Sequence, residues 1–414
     1  MEDHHLESIE KNFHLKYLRL SGILITKLPE KIGELKYLQT LDVVSCTRIE
    51  ELPSTISRLQ WLTHLYVHYE VEFPDGLIEQ MHNLEELRDY GVIYFDQRNS
   101  LQELSKLTKL RTLKIIWDFD LLECSKELSQ SECLQSYVGN ITSSCNISYL
   151  SITDISDDHI FPLSLNSWQP TAPCSFRKLS ICNFIYKVPN WMCSLENLMV
   201  LILLIICLTP EDLEILGAIP SLVFLKVVTV GGTNGRITVH GSNGFRSLKY
   251  FTLGIACCGT ALDFQVGSMP KLEHVNLVLR VHKKGCLNGA SSLGIQHISA
   301  HSKVEVKIIG HCMCETNYDP AKDENDGAIR WVASAINGAI MTHPNHPTVR
   351  FETESDDEGC EHFERALRKD NQRLGGLLTE WLKIWQIEEE QKEQHQTDRL
   401  TKRMTDQEEH TSSN

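Results

Sequence analysis

Apolar residues return along this chain in one fixed arrangement: apolar, two residues, apolar, one residue, apolar. The first copies are Leu15-Lys-Tyr-Leu18-Arg-Leu20, Leu38-Gln-Thr-Leu41-Asp-Val43 and Leu62-Thr-His-Leu65-Tyr-Val67. Leu84, Leu110, Ile147, Phe176, Leu198, Leu222, Leu248 and Leu272 open the later copies, and most neighbours start 22–26 residues apart. The alternation closing each copy has the two-residue period of a half-buried strand. Its apolar members point to one face, and a lone strand cannot cover them. Stacking coil on coil gives each strand a neighbour on both sides and builds a continuous core.

A second motif follows the strands. Thr26-Lys-Leu28-Pro29-Glu-Lys-Ile32-Gly-Glu-Leu35 is matched by Glu51-Leu52-Pro53-Ser-Thr-Ile56-Ser-Arg-Leu59 and by Val188-Pro189-Asn-Trp191-Met-Cys-Ser-Leu195. Proline fixes φ and lacks an N–H, so it suits the start of a helical turn. The apolar residues three or four positions on lay one face of that turn against the sheet. Together the two motifs are the signature of leucine-rich repeats. They predict an α/β solenoid, with a curved parallel sheet on the concave face and short helices, 3₁₀ turns and loops outside.

Residues 1–14 read as the end of a preceding repeat, with Leu6, Ile9 and Phe13 apolar and no polar cap, as if the chain began inside a longer array. Residues 15–310 read as the solenoid, irregular at 120–175, with a last strand at 304–308. Gly231-Gly232, Asn234-Gly235 and Ser242-Asn243-Gly244 mark turns. The run Leu198–Leu208 is too short for a bilayer, which takes about 20 residues. It reads instead as a strand buried on both faces. Residues 321–387 read as a helical C-terminal cap or tail and 388–414 as a disordered polar end.

Of the 414 residues, 42% are hydrophobic, enough for a folded chain, and the net charge is −15. That balance argues against nucleic acid as the main partner, because phosphate binding needs a basic face. Residues 351–414 hold 17 acidic against 9 basic residues, so the repeats themselves are only mildly acidic. The fourteen cysteines are scattered, with Cys182, Cys207 and Cys257 at or near inward strand positions. With no secretory signal evident, the reading is a reducing, cytoplasmic or nuclear setting. Two matches to the glycosylation sequon, at Asn140 and Asn146, are then chance.

No catalytic motif stands out. There is no P-loop, since Gly231-Gly-Thr-Asn-Gly235 lacks the lysine, and no G-x-S-x-G or H-E-x-x-H. His311-Cys312-Met-Cys314 lacks a second ligand pair for zinc, and His343 and His346 sit around prolines as a turn. No catalytic residue, cofactor or metal is assigned. What remains is the concave wall, the surface such solenoids use for binding. By phase, its candidate partner-binding residues are Tyr17, Arg19, Asp42, His64, Tyr66, His68, Arg88, Tyr90, Lys114, Tyr149, Lys178, Phe224, Lys226, Tyr250 and His274. Aromatic and arginine residues are favoured anchors in protein interfaces, although exposed strand positions favour aromatics in any case.

The chain resembles the leucine-rich-repeat region of plant intracellular immune receptors of the coiled-coil, nucleotide-binding class. The residues that carry this are Leu15-Lys-Tyr-Leu-Arg-Leu20, Thr26 to Val43, Ile49-Glu-Glu-Leu-Pro-Ser-Thr-Ile56 and, near the end, Ala335 to Pro347. The Walker and Met-His-Asp motifs of the nucleotide-binding domain are absent, so the resemblance implies no ATP or ADP site. It implies a non-enzymatic recognition module in plant innate immunity. The partner would be a protein: a pathogen effector, a guarded host protein or a nucleotide-binding switch domain. The alternative is a general intracellular scaffold for signalling complexes, which shares the Leu-Pro-x-x-Ile-x-x-Leu segments.

Overall fold

In a computed structural model, fifteen strands are placed among the described residues. They are β1 (Tyr17–Arg19), β2 (Thr40–Asp42), β3 (His64–Tyr66), β4 (Glu86–Val92), β5 (Thr112–Trp117), β6 (Tyr149–Asp154), β7 (Lys178–Ile185) and β8 (Val200–Leu208). Then come β9 (Phe224–Gly232), β10 (Arg236–Val239), β11 (Tyr250–Ile255), β12 (Ala261–Phe264), β13 (His274–Val281), β14 (Lys303–Gly310) and β15 (Val349–Ser355). The structure describes residues 6, 8–21, 25–92, 102–117, 138–155, 163–165, 168, 175–233, 236–255, 261–281, 294–298, 303–310 and 349–355, with scattered positions between 334 and 343.

Thirteen of these strands form one sheet, ordered along the chain apart from β10 and β12, which pair with each other. Every pairing is parallel. The register places the middle apolar residue of each motif in one row. From Leu41, Leu65 and Leu87 through Leu201 and Leu225 to Val304, no member is more than 2% exposed. Each coil enters the sheet by the same backbone bond. The N–H of Thr40 reaches Lys16 O at 3.0 Å, that of Lys178 reaches Ser148 O at 3.0 Å, and that of His274 reaches Lys249 O at 2.9 Å. The strand spacing thus fixes the coil spacing.

The three proline segments fold alike. Pro29, Pro53 and Pro189 have φ of −70°, −68° and −66° and open 3₁₀ turns at Glu30–Glu34, Ser54–Arg58 and Asn190–Ser194. The carbonyl of each proline accepts from the residue three on, as Ile32 N–H to Pro29 O at 2.9 Å. Ile32, Ile56 and Met192 fill the core behind. Proline three residues later, at the donor position, would remove this bond; at the start of the turn its missing N–H is not needed.

Elsewhere the outer wall takes other forms. The coil after β8 returns through a true α-helix, Pro210–Ala218, capped by Thr209 and Asp212, whose side chains bond each other's backbone N–H. Asp212 is 1% exposed, and its other oxygen accepts the N–H of Val188, one coil back, at 2.7 Å. The next two coils return partly through strands, β10 and β12, which pair with each other, and a 3₁₀ turn at Gly241–Asn243 falls where Ser242-Asn243-Gly244 marked one. Gly231-Gly232 ends β9 and is not a turn, and an added Cβ on Gly232 would stand 2.5 Å from Arg236 O.

At the start, Leu6 and Ile9 are buried but Phe13 is 52% exposed. At the other end, 304–308 is not the last strand: β15 continues the sheet beyond β14. Positions 334, 337, 338 and 341 are helical. The rest of the tail expected at 321–387, β15 and His343 apart, lies outside the described residues, as do 388–414, much of 120–175, Cys257 and the His311–Cys314 segment. His343 is 2% exposed, with Nε2 3.0 Å from Ile298 O, and so packs inside rather than on a surface turn. No helix among the described residues is long and apolar enough to cross a membrane.

Asp212→Ala removes the cap and the bond to the neighbouring coil together. It is expected to cost about 2–4 kcal/mol, read as a lower urea midpoint, with Asp212→Asn retaining part of the loss.

Candidate functional site

Alternate side chains of the large sheet face away from the core and form the wall. The register sorts the expected residues into two rows. Tyr17, His64, Tyr149, Lys178, Phe224, Tyr250 and His274 share one, with Thr40, Glu86, Thr112 and Val200 between them. Arg19, Asp42, Tyr66 and Arg88 begin the other, and Lys114 and Lys226 continue it. His68 lies just beyond β3, its side chain 16% exposed and 3.6 Å from Glu70.

The first five strands carry a linked polar surface. Arg19 pairs with Asp42 at 3.3 Å. The Tyr66 hydroxyl donates to Glu86 Oε2 at 3.1 Å, Arg88 pairs with the other oxygen of Glu86, and His64 Nε2 stands 3.7 Å from Glu86. The Arg88 guanidinium lies over the Tyr66 ring, 5.0 Å from its centroid. Burial, then the Glu86 charge, pushes the Tyr66 hydroxyl's pKa up, so it stays a neutral donor. Glu86, also outward by phase, joins three of the expected residues. Such a cluster holds an aromatic face and a guanidinium in a fixed pose, with the Arg88 side chain still 43% exposed.

Tyr90 does not belong to this surface. It is 1% exposed and packs edge-on against Phe73, with ring centroids 5.1 Å apart. The register explains it. Leu87 faces Leu113 but Tyr90 faces Ile115, so β4 holds one residue more than β5 over this stretch. Asp89 takes the bulge, at φ 57°, and pairs with Lys114. One extra residue moves every later side chain to the other face. Gly91 follows where an added Cβ would overlap Tyr69 O at 1.7 Å.

Lys226 keeps its place in the outward row, between Ile202 and Thr252, but is 6% exposed and not solvent-facing as expected. Its neighbours are buried as well: Val200 and Ile202 at 9%, Leu204 at 5%, Val228 at 2%. β8 is thus buried on both faces, as its unbroken apolar run requires. Phase gives a side chain's direction, and direction alone does not set exposure. Further on, Tyr250 and His274 stack at 5.0 Å and 19°, and the Tyr250 hydroxyl donates to Glu273 at 3.2 Å. Burial and the Lys303 charge lower the His274 pKa.

Lys178 lies at the border of the polar and apolar zones. Burial first, then the charges of Arg88 and Lys114, holds its amine down at about 8. Cys182, two residues past Ser180 on the same face, has its Sγ 3.4 Å from Ser180 Oγ. Among the described residues, Cys145, Cys182, Cys193 and Cys207 are free thiols, and the Cys46 thiol donates to Leu20 O at 3.4 Å. Among the described residues, no group of three His, Cys, Asp or Glu gathers to hold a metal.

Residues 1–349 match the family described as leucine-rich repeat region. The chain belongs to that family. Its members are typically non-catalytic protein-interaction modules. Among curated proteins, the chain is 27% identical over 344 residues to disease resistance protein RGA5 of Oryza sativa subsp. japonica, covering 80% of this chain and 28% of that protein. Against RGA4 of the same plant the figures are 26% over 382 residues, 87% and 33%, and against Pik-2 they are 25% over 254 residues, 54% and 24%. The chain therefore spans about a quarter to a third of the length of these relatives. Solved structures similar to it include a leucine-rich-repeat protein of Leptospira interrogans (TM-score 0.38, 16% identity, 83% of this chain and 92% of that one). An internalin of Listeria monocytogenes gives a TM-score of 0.40 at 14% identity, over 84% and 83%.

The lowered pKa of Lys178 has a sign. Below about pH 8 the amine is charged in folded and unfolded chains alike, and the folded state carries the full penalty. Between about 8 and its ordinary 10.5 the unfolded chain holds more protons, so stability rises with pH. Lys178→Met is expected to gain up to about 3 kcal/mol at pH 7 and to flatten that rise, measured by urea denaturation from pH 7 to 10.5.

Proposed function

We propose that the repeats are a non-enzymatic recognition module in plant defence, and that the concave wall binds a protein. The partner is a pathogen effector, a guarded host protein or a nucleotide-binding switch domain. The observation that carries this reading is the Tyr66–Glu86–Arg88 cluster. It is a pre-ordered aromatic and guanidinium surface set on rigid strands, and such residues anchor protein interfaces. The relatives' printed names, disease resistance proteins, supply the biological setting. The sheet beneath keeps Tyr66 and Arg88 at fixed spacing, so binding costs little side-chain ordering.

The test is co-purification of the full chain with two panels, pathogen effectors and isolated switch domains. Tyr66→Ala and Arg88→Glu are expected to weaken capture about tenfold or more. Arg236→Glu, on β10 outside the wall, is expected to leave it unchanged. Equal capture by all variants, or capture of no member of either panel, overturns the reading.

A further inference from the structure

One residue in each coil stands just before the apolar residue that opens the strand motif, on the flank where the chain enters the sheet. In all eight copies from Asn83 to Lys271 it is Asn, Ser or Lys. Three of these reach back one coil to a main-chain carbonyl: Asn83 to Gln60 O at 2.7 Å, Ser221 to Leu198 O at 2.9 Å and Ser247 to Pro220 O at 2.8 Å. Lys109 in turn donates to Asn83 at 2.6 Å. The position thus has a structural use, tying coil to coil with a short polar side chain.

The first three coils give that use up. The same position holds His14, Tyr37 and Trp61, and none of them makes the bond among the described residues. The rings lie in water instead, Tyr37 50% and Trp61 59% exposed, with Phe13 beside them at 52%. Phe13 and His14 are 4.1 Å apart between centroids, and His14 stacks on Tyr37 at 5.9 Å and 24°. Large exposed rings thus stand where three later coils, at Asn83, Ser221 and Ser247, place a short side chain that bonds the coil before it. Lys16 and Lys36 stand next to the row, both exposed and without an ion pair among the described residues. An unpartnered apolar row rimmed by unpaired cations is complementary to an apolar group rimmed by anions.

We propose that this flank of the first three coils is a docking surface for an acidic segment of a partner protein, one that presents an apolar side chain between carboxylates. The apolar group would lie against the Tyr37 and Trp61 rings, and the carboxylates would meet Lys16 and Lys36. The surface lies on the side of the solenoid, separate from the Tyr66–Arg88 cluster on its concave wall.

The probe is a fluorescent 12-residue peptide of Glu and Asp around a central Phe-Leu pair, titrated by anisotropy into the full chain. Saturable binding is expected, at least tenfold weaker in Trp61→Asn, in Tyr37→Ser and in the Lys16→Glu/Lys36→Glu pair. Tyr186→Ala, an exposed ring elsewhere, and Arg88→Glu should bind like the parent, which separates this surface from the concave one. Trp61→Asn should melt no lower than the parent, because the new amide can reach Lys36 O as Asn83 reaches Gln60 O. No binding, or equal binding of a peptide with Lys in place of every acid, overturns the proposal. So does unchanged binding by the ring variants with a lower melting point, which would make the rings structural. Self-association abolished by Tyr37→Ser also overturns it, since the occupant would then be a second copy.

Discussion

No coil of this chain can hide its own leucines. The inward side chain of each strand is covered only when the next coil lies about 4.8 Å away in a parallel ladder, and the unbroken row from Leu41 to Val304 results. Burial and backbone bonding therefore demand the same spacing. The N–H entering each strand finds the carbonyl of the coil before it at nearly constant distance from Thr40 to His274. Stability in such an array is a sum of neighbour contacts, so the outer wall is free to vary. It does so from 3₁₀ turn to α-helix to paired strands.

That freedom has limits where one coil must speak to the next. Asp212 caps its own helix and holds Val188 in the neighbouring coil. Gly91 lets β4 pass Tyr69 O without a Cβ between them. The polar ladder through Asn83, Ser221 and Ser247 does the same on the entry flank. In the first coils exposed rings, Tyr37 and Trp61, stand in place of a link of this kind.

The concave wall shows how narrow the margin between surface and core is. A single inserted residue at Asp89 turns Tyr90 inward and leaves Arg88 outward, so that two residues two apart end on opposite faces. The same bulge brings Asp89 to Lys114. The wall that results is not uniform. It is ion-paired and polar over the first five strands, apolar and buried at β8 and β9, and aromatic again at Tyr250 and His274.

The solenoid and its parallel sheet were legible in the sequence, because a leucine repeated at a fixed period leaves only one way to bury every copy. The proline turns were legible too, since φ and the lost N–H act locally. β8 could be read as doubly buried from its composition alone. Tertiary structure decided the rest. Strand phase cannot reveal a bulge, so the burial of Tyr90 had no signal beyond the Gly91 that follows it. Phase also cannot say what shields an outward side chain, so Lys226 reads as exposed and is not. The Tyr66–Glu86–Arg88 cluster joins residues 20 and 2 apart in sequence, and only the register makes them neighbours. The aromatic flank was present in the sequence at His14, Tyr37 and Trp61. It gained meaning only once the bonds of Asn83, Ser221 and Ser247 showed what that position does in three of the other coils.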